Sequence, residues 1–245
     1  MNGEMLRSKA MDFHKYLEII KNDINPPFPW YPYGTLNNFI HLEQCFNNFP
    51  LQKLTSVNRV ADIGAADGDL AFFMSSLGYF VDIIDNEPTN YNGLRGVRAL
   101  AKALNAEKSV SILKRDIDEQ FTLPTERYDL VFLLGILYHL KNPYYILEIL
   151  SKKSTHLLLS TRVAKYTPDG RNLSGASVAY LLNPDESNND ATNYWIFTES
   201  CLERIVKRAG WNILYKNTVG DTSTSNPSDA DKDERCFLLL RSTVF

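Results

Sequence analysis

The chain has 245 residues, 44% hydrophobic and 22% charged, enough apolar material for one α/β domain with a cap. Its 26 Lys and Arg against 29 Asp and Glu give a net charge of −3, without the basic excess that a nucleic-acid backbone demands. The three cysteines, Cys45, Cys201 and Cys236, are odd in number and widely spaced, and the apolar stretch at 131–140 is far shorter than the roughly 20 residues of a membrane helix. These features exclude a disulfide framework, and they predict a cytoplasmic protein with no membrane contact and no metal site.

Residues 8–22 read as an amphipathic helix with Met11, Tyr16, Leu17, Ile19 and Ile20 on its apolar face. Pro26, Pro27, Pro29 and Pro32 then exclude a regular element. Among them Phe28, Trp30, Tyr31 and Tyr33 form a rigid aromatic segment that packs over a surface or lines a site. A second helix is expected from Thr35 as N-cap to Phe49, ended by Pro50.

An alternation follows. Strands are predicted at 59–63, 80–85, 110–114, 128–134 and 156–162, with helices near 69–77, 92–104 and 143–150. The strands are nearly continuous apolar runs, as when helices cover both faces of a parallel sheet. Residues 165–194 are rich in Asn, Asp, Ser, Pro and Gly and read as a lid, a binding segment or disorder. A helix returns at 198–209, ended by Gly210. Two last strands, 211–219 and 235–242, flank a polar link at 221–234 that is expected to be mobile. The fold class is therefore α/β: a Rossmann-like doubly wound sheet, mostly parallel with an antiparallel last strand, plus an N-terminal helical cap. Residues 1–58 form the cap or substrate segment. Residues 59–245 form the ligand-binding domain, with 165–195 as an inserted lid or substrate segment.

The chemistry gathers at the strand ends. Gly64-Ala65-Ala66-Asp67-Gly68 joins a strand to a helix, and small residues there let a ligand approach the backbone and the helix N-terminus. The glycine spacing is G-x-x-x-G, which disfavours a dinucleotide pyrophosphate, although a nicotinamide cofactor stays an alternative. Asp85 ends the second strand about 20 residues on, where an acid accepts hydrogen bonds from ribose hydroxyls. Asp116 follows the third strand, and Asp62 is placed to orient the turn or meet a ligand's amino end. Asn86, Ile117, Leu134 and Gly135 complete the candidate cofactor set.

The segment 60–68 resembles motif I of the class I S-adenosylmethionine-dependent methyltransferases, and Asp85 resembles their ribose-binding acid; Ala66 stands where many members have glycine. The stretch 128–140, Tyr-Asp-Leu-Val-Phe-Leu-Leu-Gly-Ile-Leu-Tyr-His-Leu, resembles the fourth strand and following turn of the tRNA wobble-uridine carboxymethyltransferase (CmoB-like) family. Phe28-Pro29-Trp30, Asn193-Tyr194-Trp195-Ile196-Phe197 and Arg235 fall at comparable places. The resemblance implies that residues 59–245 bind S-adenosylmethionine and transfer its methyl group, leaving S-adenosylhomocysteine.

Two departures favour the plain cofactor over a carboxylated one and a small acceptor over tRNA. Tyr31-Pro32-Tyr33 offers no cation where that family has a lysine. The first 58 residues are charge-balanced, with five Lys/Arg against five Asp/Glu. The expected activity is therefore methyl transfer to a small-molecule oxygen or nitrogen, by a monomer or homodimer. A tRNA-modifying enzyme and a non-catalytic cofactor-binding protein are the alternatives. His139 is the candidate base and Tyr138 the candidate group facing sulfonium or substrate, each weighed against a packing role. Trp30, Tyr33, Arg162, Tyr194, Trp195 and Arg235 are the candidate substrate residues.

Overall fold

The computed structural model describes residues 1–119 and 122–245. The chain divides into two compact units, 1–132 and 133–245.

In the first unit, helix α1 spans Gly3–Ile24, five residues earlier than the apolar pattern predicts. The early start has a local cause: the Asn2 side chain accepts the Met5 amide and caps the helix. The buried stripe is Leu6, Ala10, Leu17 and Lys21. Tyr16 and Ile19, expected on that face, are exposed. Gly3 lets α1 approach helix α2 (Phe39–Asn48), because a Cβ there would run into the Glu43 carbonyl. The expected cap at Thr35 is not made. Thr35 opens a 3₁₀ turn, Thr35–Asn38, and its buried hydroxyl has no partner among the described residues. Pro50 does not simply end the second helix; it leads into a single further turn, α3 (Leu51–Leu54).

Strands β1 (Arg59–Ile63), β2 (Phe80–Asp85) and β3 (Val110–Lys114) have the predicted bounds. With β4 (Tyr128–Leu134) they run parallel in the order β3-β2-β1-β4. Helices α4 (Asp69–Ser76) and α5 (Arg95–Ala103) connect them. Helix α5 starts three residues later than predicted because Asn90 and Asn92 turn their side-chain oxygens onto the amides of Asn92, Leu94 and Gly96. Two buried acids on the sheet are fully engaged. Asp82 takes both Arg59 bonds and the Tyr128 hydroxyl, and Asp129 takes Ser56 and the amides of Val57 and Arg59.

Strand β4 carries the chain into the second unit. There α6 (Pro143–Ser151) precedes β5 (Ser154–Val163), which pairs along its length with antiparallel β9 (Glu234–Ser242). Strand β8 (Trp211–Gly220) is antiparallel to β9, so the last two strands form an antiparallel edge as predicted. The segment 165–194 is not all loop. It supplies β6 (Ala179–Leu181), antiparallel to β7 (Trp195–Phe197), which joins the end of β5. Helix α7 (Glu199–Arg208) is capped by Thr198, which accepts the Cys201 amide. The link expected to be mobile is tied down instead. Ser225 is fully buried, accepts the Lys165 amide and donates to Glu234.

Candidate functional site

Three residues of the turn after β1 adopt left-handed backbone: Gly64 (φ 70°), Ala66 (φ 54°) and Gly68 (φ 84°). The Gly64 amide bonds the Ile84 carbonyl, and the Gly68 amide bonds that of Ala65. A Cβ on Gly68 would press against Phe72 and Ile83, at 2.9 and 3.1 Å. Glycine at 68 thus serves packing and φ, where the sequence reading stressed ligand access.

Asp62, at the carboxyl end of β1, is 5% exposed. One side of its carboxyl takes the Ala71 amide in the first turn of α4, a cap supplied from the preceding strand because Gly68 has no side chain to give one. Its Oδ2 is buried with no partner among the described residues. Burial first, and the nearby Asp85 second, push the Asp62 pKa up to about 8. Asp85 ends β2 and is raised to about 6 by burial. Asn90 and the amides of Asn86, Ala66 and Ala65 oppose that shift. Asn90 bridges Asp85 to the Ala66 carbonyl, at 3.0 and 3.1 Å, so the end of β2 and the turn are held together. Asp116 receives the Asn86 side chain at 3.5 Å and the Asp118 amide at 2.9 Å, while Ile117 beside it is buried. The turn therefore brings Asp62, Gly64, Ala65, Ala66, Asp85 and Asn86 together, with Asp116 linked through Asn86.

A buried carboxylate oxygen left open, next to a second desolvated carboxylate, wants donors. Ribose hydroxyls and an amino acid's ammonium are such donors, so these residues fit S-adenosylmethionine.

Sequence reasoning missed the groups that fasten the aromatic segment to this turn. Asp67 accepts the Tyr31 amide at 2.6 Å and the Asn92 side chain at 2.7 Å, and Asn92 also reaches the Pro29 carbonyl. Lys21 of α1 forms a buried ion pair with Asp69 at 2.9 Å and lies over the Trp30 ring. The paired asparagines ahead of α5 are a turn signal that could have found part of this; the Lys21–Asp69 pair spans 48 residues and leaves no local signal. Trp30 packs on Phe28, and Tyr31 packs on both Tyr33 and Tyr91; Tyr33 is 72% exposed.

In the second unit, Gly135 (φ 75°) follows Leu134 and bonds the Ser160 carbonyl. Tyr138 and His139 lie in the 3₁₀ turn Leu137–His139, their rings 4.2 Å apart. His139 Nδ1 is 3.1 Å from both the carbonyl and the hydroxyl oxygen of Thr192. A carbonyl only accepts, so the proton sits on Nδ1 and Nε2 keeps its lone pair. Burial lowers the His139 pKa against the raising effect of Thr192, which keeps the ring neutral. The Arg235 guanidinium stacks 5.6 Å from the Tyr138 ring centre, with no ion-pair partner among the described residues. Tyr194 bonds the Tyr138 carbonyl through its amide and sits under Lys141. Trp195 has its indole N–H buried without a partner among the described residues. Arg162 is placed differently from these. It is buried, paired with Asp233 and bonded to Ser187, so its charge is already answered inside the protein. Among the described residues no group of three His, Cys, Asp or Glu is arranged to hold a metal ion, and no helix is long and apolar enough to cross a membrane.

A family model described as "Methyltransferase domain" matches residues 37–216. The chain belongs to the methyltransferase domain family. No curated protein sequence matches it. Among solved structures, it is similar to the N-terminal domain of EvdMO1 in the presence of SAH and D-fucose: 15% identity, 99% of this chain, 97% of that one, TM-score 0.57. The [4+2]-cyclase SpnF is similar at 12% identity over 97% and 96% of the two chains, with TM-score 0.63. The Burkholderia thailandensis 1,6-didemethyltoxoflavin-N1-methyltransferase, solved with 1,6-didemethyltoxoflavin and S-adenosylhomocysteine, is similar at 19% identity over 76% and 71%, with TM-score 0.52. At these identities the likeness is one of fold.

Proposed function

We propose that the protein transfers a methyl group from S-adenosylmethionine to an oxygen or nitrogen of a small molecule. The observation that carries this is the open, buried Oδ2 of Asp62 beside Asp85, at the turn of a chain in the methyltransferase family. Neighbours of the same fold solved with SAH or S-adenosylhomocysteine, together with D-fucose or 1,6-didemethyltoxoflavin, support a small acceptor. When bound, the cofactor supplies a methyl group already activated on a sulfonium. The chain's own residues then have to hold, desolvate and deprotonate. Asp85 and Asn86 hold the ribose, Asp62 the amino end, and Asp116 with Ile117 the adenine. The backbone of Gly64, Ala65, Ala66 and Gly68, with Leu134 and Gly135, supplies close approach. His139 Nε2 takes the acceptor's proton, and Tyr138 aligns the reacting group. Trp30 and Tyr33 in the first unit, and Tyr194 and Trp195 in the second, are the aromatic candidates for contact with the acceptor.

A second reading is wobble-uridine carboxymethyl transfer in tRNA. What favours it is Arg235, half-buried on the Tyr138 face without a carboxylate among the described residues, as an anionic ligand group would require.

Titration calorimetry tests the first reading. S-adenosylmethionine is expected to bind, and Asp85→Ala to weaken it at least tenfold; binding of NAD in its place overturns the reading. Native mass spectrometry of the purified protein separates the two readings through the mass of any retained cofactor.

A further inference from the structure

Asn90 lies in the connection from β2 to α5, between the acid that ends the strand and the first turn of the helix. Its side-chain amide has two N–H donors and two carbonyl lone pairs, and all four are spent. Nδ2 donates to Asp85 Oδ2 at 3.0 Å and to the Ala66 carbonyl at 3.1 Å. Oδ1 accepts the amides of Asn92 at 3.2 Å and Leu94 at 2.9 Å. The donor end meets acceptors and the acceptor end meets donors, so one orientation of the amide makes all four bonds and the reverse makes none.

Two of the four partners carry a Cβ in left-handed backbone: Ala66 (φ 54°) and Leu94 (φ 59°). Such conformations persist where neighbours over-determine them, and they gather at ligand sites. Ala66 is fastened through its carbonyl. Leu94 is fastened through its amide, with its side chain fully buried. A single side chain thus ties together the turn after β1, the end of β2 and the start of α5.

A third partner is the acid proposed for the ribose. Among the described residues Asn90 is the one side chain that donates to Asp85. It opposes the effect of burial more strongly than the amides of Asn86, Ala66 and Ala65, and so favours the ionised carboxylate that accepts from hydroxyls. The surrounding charges do not do this. Asp62 of β1 is a second acid, Asp116 is reached only through Asn86, and Arg98 of α5 and Lys114 of β3 are both committed to Glu87 at 2.6 Å.

We infer that Asn90 is a positioning residue of the cofactor site, holding the Asp85 carboxylate and the Ala66 backbone together as one surface for the ribose. The inference rests on the reading of this turn as the S-adenosylmethionine site.

Calorimetry with S-adenosylhomocysteine, a carboxyl NMR titration of Asp85 in the ligand-free protein, and melting curves test it. Asn90→Ala is expected to weaken binding at least tenfold at pH 7 and to move the Asp85 midpoint upward from about 6. Asn90→Asp keeps an oxygen for the Asn92 and Leu94 amides and loses both donors. It is expected to show the same loss of affinity with a smaller fall in melting temperature than Asn90→Ala, which separates positioning from folding. Added to Asp85→Ala, Asn90→Ala is expected to cost less than about threefold more, because its effect passes through Asp85. A merely structural role would lower the melting temperature and leave the Asp85 midpoint where it was. That result overturns the inference, as do losses that multiply in the double variant. No binding by the parent chain overturns the methyl-donor reading and the inference with it. Binding by the parent with affinity unaltered in Asn90→Ala overturns the inference alone.

Discussion

Asp62 serves the fold with one carboxyl oxygen and leaves the other without a partner among the described residues. Its engaged oxygen caps α4 from the end of β1, while its open oxygen makes the ligand-free protein sensitive to pH. The ordinary value of 3.8 rises to about 8 in the fold, and that of Asp85 to about 6. Between about pH 4 and 8 these two carboxyls therefore hold more protons in the folded chain than in the unfolded one, so their contribution to stability falls as pH rises through that window. Donors from a ligand favour the ionised carboxylates, so affinity for S-adenosylmethionine runs the other way and increases toward pH 8. Melting curves from pH 5 to 8 are expected to show a declining midpoint for the ligand-free protein, and Asp62→Asn to flatten that decline. A variant as pH-sensitive as the parent would place the titrating group elsewhere. Ala66 is the neighbouring oddity. A left-handed φ costs a non-glycine residue roughly 1–2 kcal/mol; glycine at 66 would relieve that strain but lose part of the gain to its freer unfolded chain.

Among the elements, α1 is held to the start of α4 by a charge pair rather than by apolar packing alone. Lys21 and Asp69 have side-chain exposures of 7% and 4%, and Asp69 Oδ1 has no second partner among the described residues. Burial already raises the Asp69 pKa, with Lys21 opposing it. Removing one member of such a pair strands the other, at about 3–5 kcal/mol. Lys21→Met is expected to lose stability of that order in urea melts, and Lys21→Met/Asp69→Asn to recover a large part of it. Strict additivity of the two single changes would deny the coupling. None of this was legible in the sequence, because no local pattern announces an ion pair between distant residues. What was legible obeys local rules. Strands β1 to β4 are apolar runs whose bounds follow from Val60–Ile63 and its counterparts, and α7 follows from its Thr198 cap. The failures lie where polar side chains decide. Asn2 lengthened α1, Asn90 and Asn92 delayed α5, and Ser225 drew a polar link into the interior. Strands β6 and β7, three residues each, are too short for periodicity to register. The candidate site divides in the same way. The acids at successive strand ends were readable from spacing, whereas the commitment of Arg162 to Asp233 appears only in three dimensions.

At the scale of the whole molecule, the acids assigned to the cofactor, Asp62, Asp85 and Asp116, belong to the first compact unit, while Tyr138, His139 and Arg235 belong to the second. The boundary falls after Phe132, inside β4. A strand shared in this way has consequences for unfolding. Residues 130–132 pair with β1, so melting the first unit removes a partner of β4's beginning. The chain is expected to unfold in one cooperative transition, even though the acids assigned to the cofactor lie in the first unit. Mass action gives the size of the effect: a ligand at 100 times its dissociation constant stabilises the folded state by about 2.7 kcal/mol. Calorimetry with S-adenosylhomocysteine at that excess is expected to show a single transition moved upward as a whole. Hydrogen exchange read in the same titration is expected to slow in both units, most strongly at the amides of Ala65, Ala66 and Asn86. If only the first unit's amides slow, and a second melting step stays where it was, the shared strand does not couple the units and each folds on its own.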